Sequence, residues 1–103
     1  MLDKWQLFQE RGSLCACGCG QPAHDKHHCC IPDLKRFHNI LDVKYNVALV
    51  NHHEHTALKK FDNQQWRRKF YLQNVARYGQ AAMDEWIASL PAKLAHRLDF
   101  LNH

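Results

Sequence analysis

The fold is decided largely by one stretch of the chain, residues 45–55, which reads YNVALVNHHEH. Its apolar centre, Val47 to Val50, has the length and composition of a strand that is buried on both faces. Asn51 suits a helix N-cap, because its side chain can accept a hydrogen bond from a first-turn amide, which predicts a helix over residues 52–61. The stretch therefore indicates a strand that leads directly into a helix rich in histidine.

The chain upstream of this strand is dense in cysteine and histidine. All five cysteines lie between Cys15 and Cys30, and the chain contains nine histidines. Glycine, cysteine and proline crowd residues 13–23, which predicts a turn-rich knuckle. Residues 24–32, HDKHHCCIP, can run extended and pair with the strand at 47–50 as a hairpin. Such a hairpin would bring the paired histidines at 27 and 28 close to the first turn of the following helix.

Helical patterns occupy both ends of the chain. Residues 2–12 predict a short helix, in which Asp3 caps the start, Trp5 and Phe8 share a face and Gly12 suits the position after the end. A basic loop is expected over residues 33–45. Three further helices are predicted, over residues 64–78, over residues 80–90 and from Pro91 onward. We expect one domain, composed of an N-terminal helix (1–12), a core with the knuckle (13–61) and a helical extension (62–103).

Charge and composition limit the class of protein. The net charge is +4 among 103 residues, and residues 33–70 carry eight basic against four acidic side chains. The whole excess therefore lies in the middle of the chain, where an anionic partner such as nucleic acid would be met; a solvated basic face is the alternative. No apolar run could span a bilayer and the first residues do not resemble a signal peptide, so we expect a cytoplasmic protein that binds no membrane. Reduced, clustered cysteines then indicate metal chemistry.

The spacing of the paired histidines, Asn46 and His55 resembles the HNH (ββα-metal, or His-Me finger) endonuclease family. In that family an asparagine lies nine positions before the last histidine, and small phage and prophage members have a Cys-rich turn before the paired histidines. The resemblance covers residues 15 to about 60, and the helices that follow match no part of the motif. It implies a protein of a bacterial or phage-infected cell that cuts DNA.

The resemblance implies a role for each residue of the motif. His28 matches the general base that deprotonates the attacking water. His27 and His55 match the metal ligands, and Asn46 matches the residue that braces the loop and orients the base. With two protein ligands, phosphate and water must complete the shell of one divalent ion, Mg²⁺ or Mn²⁺, while imidazole ligands leave Ni²⁺ or Zn²⁺ open.

Several basic residues are candidates for DNA contact, although a helix with one buried and one basic face is an equally good explanation for those after residue 60. Lys59 occupies the position at which some family members have a further histidine, and as a protonated lysine it could contact phosphate but not ligate metal. The expected DNA-binding residues are Lys35, Arg36, Lys59, Lys60, Arg67 and Arg68.

The sequence departs from the family in its cysteines. Many members hold a structural zinc with two Cys-x-x-Cys pairs, but here the second pair falls on Asn51 and Glu54. A tetrahedral zinc could still form from three of the remaining thiols with Cys30, or with His52 or His53. The expected set is Cys15, Cys17, Cys19 and Cys30. The alternative is that the cysteines are reduced core residues and no zinc is bound.

These observations predict an α+β protein with a ββα-metal core, a Cys-rich N-terminal knuckle and a C-terminal helical extension. The expected function is divalent-metal-dependent hydrolysis of DNA phosphodiester bonds. Two alternatives remain: a non-catalytic zinc-knuckle module that binds nucleic acid, and a metal-dependent scaffold that recruits a partner through its C-terminal helices. The apolar stripe of the last helix also suggests a homodimer.

Overall fold

A two-stranded antiparallel hairpin forms the centre of the molecule. In the computed structural model, which describes residues 2–102, β1 (Asp25–His28) pairs with β2 (Val47–Val50), and His28 lies opposite Val47. This hairpin is the one expected from the sequence. The described chain is a small α+β fold, in which a Cys-rich knuckle precedes the hairpin and helices flank it on both sides.

Within residues 2–102 the chain forms five α-helices. They are α1 (Lys4–Arg11), α2 (His38–Leu41), α3 (Gln64–Tyr78), α4 (Gln80–Ala88) and α5 (Ala92–Ala95). The predicted bounds of α3 are confirmed. At α1, Asp3 accepts a hydrogen bond from Trp5 N at 2.9 Å, and Gly12 ends the helix with φ of 86°. Both caps of α1 were therefore predicted correctly.

Three helical predictions need correction. The helix expected over residues 52–61 is a single π-helical turn, His53–Ala57, because Lys59 has a positive φ of 49° that interrupts the helix. The loop expected over residues 33–45 contains α2 between two short 3₁₀ segments, Lys35–Phe37 and Lys44–Asn46. The last predicted helix becomes 3₁₀ after α5, over His96–Asn102.

Strand β2 is buried on both faces, as its apolar composition predicts. Ala48 and Val50 join the main core, which also contains Phe70 of α3 and Met83 of α4. Val47 and Leu49 point the other way and pack against Leu7 of α1 in a second, smaller cluster. Because β2 is held from both sides, it is a rigid base for the histidines of β1 and for the turn that follows β2.

One large apolar side chain of α1 lies on the surface. Trp5, which shares a face with Phe8 in the predicted pattern, is 68% exposed, and Leu7 is the residue of α1 that is buried. Over the described residues, no helix combines the length and the apolar character needed to cross a bilayer.

Candidate functional site

A cavity of about 360 Å³ opens where the end of β1, the His53–Ala57 turn and the start of α3 meet. All three histidines that the sequence singled out line it. The cavity also carries charges of both signs on its wall. The lining residues that bear on the argument are Lys26, His27, His28, Asp33, His55, Lys59, Asp62 and Arg67.

His27 and His55 lie side by side in this cavity, with ring centroids 4.9 Å apart. The His27 ring also packs near Phe61 and Phe70, at centroid distances of 5.8 and 6.0 Å. Its Nε2 atom is buried and has no hydrogen-bond partner among the described residues. Burial, together with the nearby His55 and His28 rings, lowers the pKa of His27 to about 4. His27 is therefore neutral at pH 7, which is the form that can ligate a metal.

His55 is oriented by a carboxylate on the strand beside it. Its Nδ1 donates to Asp25 Oδ2 at 2.9 Å, and His52 Nδ1 donates to the same oxygen at 2.8 Å. Burial would raise the pKa of Asp25, but the hydrogen bonds from His55 and His52 outweigh it and lower the pKa overall. With a proton on Nδ1, the Nε2 atom of His55 is left as a lone-pair donor, as in carboxylate–histidine–metal arrangements.

His28 has a different carboxylate partner. Its Nε2 donates to Asp42 Oδ1 at 2.9 Å, and Lys26 Nζ donates to the same oxygen at 3.0 Å. Burial would raise the pKa of Asp42, but the hydrogen bonds from His28 and Lys26 lower it overall, so the carboxylate stays ionised at neutral pH. Successive strand residues point to opposite faces, which separates the partners of His27 and His28 although both rings line one cavity.

Asn46 is fully buried and holds the connection between the strands. Its Oδ1 accepts hydrogen bonds from Cys30 N at 3.1 Å and Ile31 N at 3.0 Å. Its Nδ2 donates to Ile31 O and Leu41 O, each at 2.9 Å. The side chain therefore uses its whole amide to fix the chain just after His28 and the end of α2.

A second cluster of potential metal ligands lies on the other side of the His53–Ala57 turn. Cys15, Cys17, Cys19 and Glu54 offer ligand atoms that all lie within 4.8 Å of one another, and they can hold a metal ion such as zinc. Glu54 Oε1 is 3.8, 3.5 and 2.9 Å from the sulfurs of Cys15, Cys17 and Cys19, respectively. We name these four residues the cysteine cluster.

Thiols of the cysteine cluster donate hydrogen bonds to its carboxylate, Glu54. A hydrogen bond from Cys19, followed by one from Lys60, lowers the pKa of Glu54 to about 2. The same contact with Glu54 raises the pKa of Cys19, and burial raises that of Cys17. Without metal, Cys17 and Cys19 are therefore protonated and donate to an ionised Glu54, so a metal that binds here must displace their protons.

The fourth member of the cysteine cluster differs from the expectation. Cys30 was expected to complete the set, but it is 1% exposed and its sulfur lies 4.0 Å from that of Cys29 in the main core. His52 is bonded to Asp25 and His53 is exposed, so neither belongs to the group. Glu54 takes this place because the turn is short and directs residue 54 back toward the knuckle.

The expected DNA-binding residues fall into four groups. Lys35 and Arg36 are exposed on the segment after β1, and Lys59 and Arg67 line the cavity. Lys60 is engaged elsewhere, since its Nζ lies 2.7 Å from Glu54 Oε2 in the cysteine cluster. Arg68 is exposed, and its Nη1 lies 3.5 Å from the Phe100 carbonyl oxygen.

Comparison of the chain with models of protein families, with curated proteins and with solved structures finds no match. The residues themselves must therefore carry the functional argument. Three of them, Asp25, Asp42 and Glu54, were missed from the sequence. Asp25 was open to prediction, because it lies two positions before His27 and so shares its face of a strand. Asp42 and Glu54 reach their partners through loops, for which no periodic signal exists.

Proposed function

We propose that the protein is a DNA endonuclease that hydrolyses phosphodiester bonds with a divalent metal ion, in a ββα-metal arrangement of β1, β2 and the His53–Ala57 turn. The observation that carries the proposal is the pairing of His27 with His55. A buried, neutral imidazole whose Nε2 has no partner among the described residues lies beside a second imidazole whose orientation is set by Asp25. A buried polar atom without a partner is costly, and a metal ion would satisfy it.

The metal chemistry follows from this donor set. Two imidazoles alone leave most of a coordination shell open, and the cavity has room for phosphate and water beside them. Bound there, a divalent ion such as Mg²⁺ or Mn²⁺ would stabilise the charge that develops on the scissile phosphate and the leaving oxygen, and Ni²⁺ or Zn²⁺ would also suit the imidazoles.

His28 is the general base in this proposal. It takes a proton from the attacking water, and Asp42 stabilises the imidazolium that forms, because an ionised carboxylate lies 2.9 Å from its Nε2. Asn46 supports the step indirectly, since it fixes the backbone that immediately follows His28. The three residues thus divide the work into proton transfer, charge stabilisation and positioning.

Basic residues near the cavity would hold the substrate. Lys59 and Arg67 line the cavity. Lys35 and Arg36 are exposed on the segment that follows His28 in the sequence. DNA phosphates that approach the histidines could therefore meet these four cations. Such contacts position the duplex without reading its sequence. Asp33 and Asp62 lie on the same wall and oppose this attraction in part.

The test is cleavage of supercoiled plasmid by the purified chain with Mg²⁺ or Mn²⁺, compared with EDTA. We expect cleavage only with the metal, and a loss of at least about 100-fold in His28→Ala, the range for removal of a general base. His96→Ala is the matched control, because His96 is exposed and does not line the cavity. Cleavage by His28→Ala at the rate of the unaltered protein would refute the assignment.

The same assay separates the alternative, a non-catalytic zinc-knuckle module that binds nucleic acid. The cysteine cluster favours that alternative as much as it favours the nuclease. A binding module would retard DNA in a gel and leave it intact with every metal. DNA binding that survives in His28→Ala, together with lost cleavage, is expected of the nuclease.

A further inference from the structure

We propose that Cys15, Cys17, Cys19 and Glu54 form a structural zinc site that fixes the turn carrying His55. The inference concerns zinc and the fold, and it does not depend on the proposed nuclease activity. It rests on the distances between the ligand atoms, on the groups that surround the sulfurs and on the position of Glu54 next to His55.

The distances suit a tetrahedral ion. With Zn–S bonds of about 2.3 Å and a Zn–O bond of about 2.0 Å, tetrahedral geometry places sulfurs about 3.8 Å apart and sulfur and oxygen about 3.5 Å apart. The observed distances are 3.4 Å for Cys15 Sγ to Cys17 Sγ and 2.9–3.8 Å for the sulfurs to Glu54 Oε1. Small side-chain movements would therefore admit zinc.

The surroundings of the cluster suit thiolates. Asn51 N donates to Cys15 Sγ at 3.2 Å, and Lys60 Nζ lies 3.7 Å from Cys17 Sγ. Three thiolates and a carboxylate carry more negative charge than one Zn²⁺ neutralises, and the Lys60 ammonium, 2.7 Å from Glu54 Oε2, offsets part of the excess. Thiolate ligands are commonly held by such outer hydrogen bonds.

The cluster joins three parts of the chain. The knuckle is anchored on β2 through Ala16 N, which donates to Leu49 O at 2.8 Å, and on α3 through Gln73 Nε2, which donates to Ala16 O at 2.9 Å. Glu54 belongs to the short turn that follows β2, and His55 is the next residue. A zinc ion bound by Glu54 would therefore hold the turn against the knuckle, in addition to the hydrogen bond by which Asp25 of β1 orients His55.

Zinc content is the first measurement. The full chain, purified after expression with zinc, should contain one zinc ion per molecule by elemental mass spectrometry. Replacement by Co²⁺ should give thiolate charge-transfer absorption and tetrahedral d–d bands. Absence of zinc, or a cobalt spectrum without thiolate bands, would overturn the proposal in the unaltered protein, whether or not any variant folds.

Variants then identify the ligands. Cys17→Ser and Glu54→Gln should each lose zinc at least tenfold faster to a competing chelator. Cys30→Ala is the matched control, since Cys30 is a cysteine outside the cluster, and it should retain zinc like the unaltered chain. If Cys30→Ala loses zinc while Glu54→Gln keeps it, the ligand set is wrong.

The link to His55 is tested by amide hydrogen exchange of the unaltered chain with and without zinc. Removal of zinc should accelerate exchange in residues 52–58 at least tenfold, and in α4 much less. Equal acceleration in both segments would show that zinc stabilises the fold as a whole and does not act on the turn.

Discussion

The two clusters on either side of the His53–Ala57 turn differ in how complete they are. The cysteine cluster brings four ligand atoms within 4.8 Å, whereas the cavity brings together two imidazoles, His27 and His55, beside open space. Structural metal sites are closed by protein ligands, and catalytic sites keep positions open. In our proposals one short turn serves both a structural and a catalytic site, because the consecutive residues Glu54 and His55 face opposite sides.

The clusters also differ in what supports them. The cavity depends on hydrogen bonds made by Asn46, Asp42 and Asp25, while the cysteine cluster joins three residues of the knuckle to Glu54 of the turn. A change on one side of the turn should therefore leave the other side largely intact.

Asn46→Ala should have the largest effect. It would leave two backbone N–H and two C=O groups in the buried loop without their partner, so we expect unfolding to become easier by about 3–5 kcal/mol. Urea unfolding measures this, with the exposed Asn39→Ala as the control. In the fraction that remains folded, the zinc content should not change. A loss of stability below about 1 kcal/mol would show that Asn46 does not brace the loop.

Acid should lower the stability of the folded chain through protonation of His27. Its pKa is about 4 in the folded chain and about 6.5 in an unfolded one, so between these values the unfolded chain binds a proton that the folded chain does not. The free energy of unfolding should therefore fall as pH drops from about 6.5 to 4, by on the order of 3 kcal/mol, and should not change through His27 above pH 6.5.

His27→Gln isolates this contribution, because zinc loss and other titrations affect both proteins alike. Urea unfolding at several pH values without added divalent ions gives the difference between the two proteins. That difference should vary with pH only in the acid range. An identical pH dependence for both proteins would mean that His27 is not buried in its neutral form.

How much could be foreseen depended on whether a periodic pattern was present. The hairpin, α1 and α3 follow from strand composition, caps and an apolar stripe, so they were predicted closely. The short turn after Asn51 was not predicted. It ends because Lys59 has a positive φ, and a lysine gives no sign of this in the sequence since lysines rarely adopt it. The proximity of the three histidines was predicted from the hairpin that leads directly into the following turn, but the split of His27 and His28 between different carboxylate partners depends on loop geometry.

Asp42→Asn tests the pairing of Asp42 with His28, the proposed general base. The amide keeps the shape of the side chain but cannot stabilise an imidazolium at His28, so plasmid cleavage should slow about 10- to 100-fold. Zinc content and DNA affinity should stay as they are. Asp84→Asn, an exposed change on α4, is the control. A variant that cleaves at the full rate would remove Asp42 from the proposed mechanism.

Two neighbouring lysines give the smallest effects and the sharpest contrast. Lys59 lines the cavity, whereas Lys60 lies against Glu54 in the cysteine cluster. Lys59→Gln should lower the slope of log affinity for duplex DNA against log salt concentration by about 0.9, the value for one phosphate contact. Lys60→Gln should leave that slope unchanged and instead speed the loss of zinc to a chelator, because the carboxylate and thiolates lose their nearest cation. Equal salt slopes for the two variants would show that Lys59 and Lys60 do not divide between the cavity and the cysteine cluster, because both would then contact DNA to the same extent.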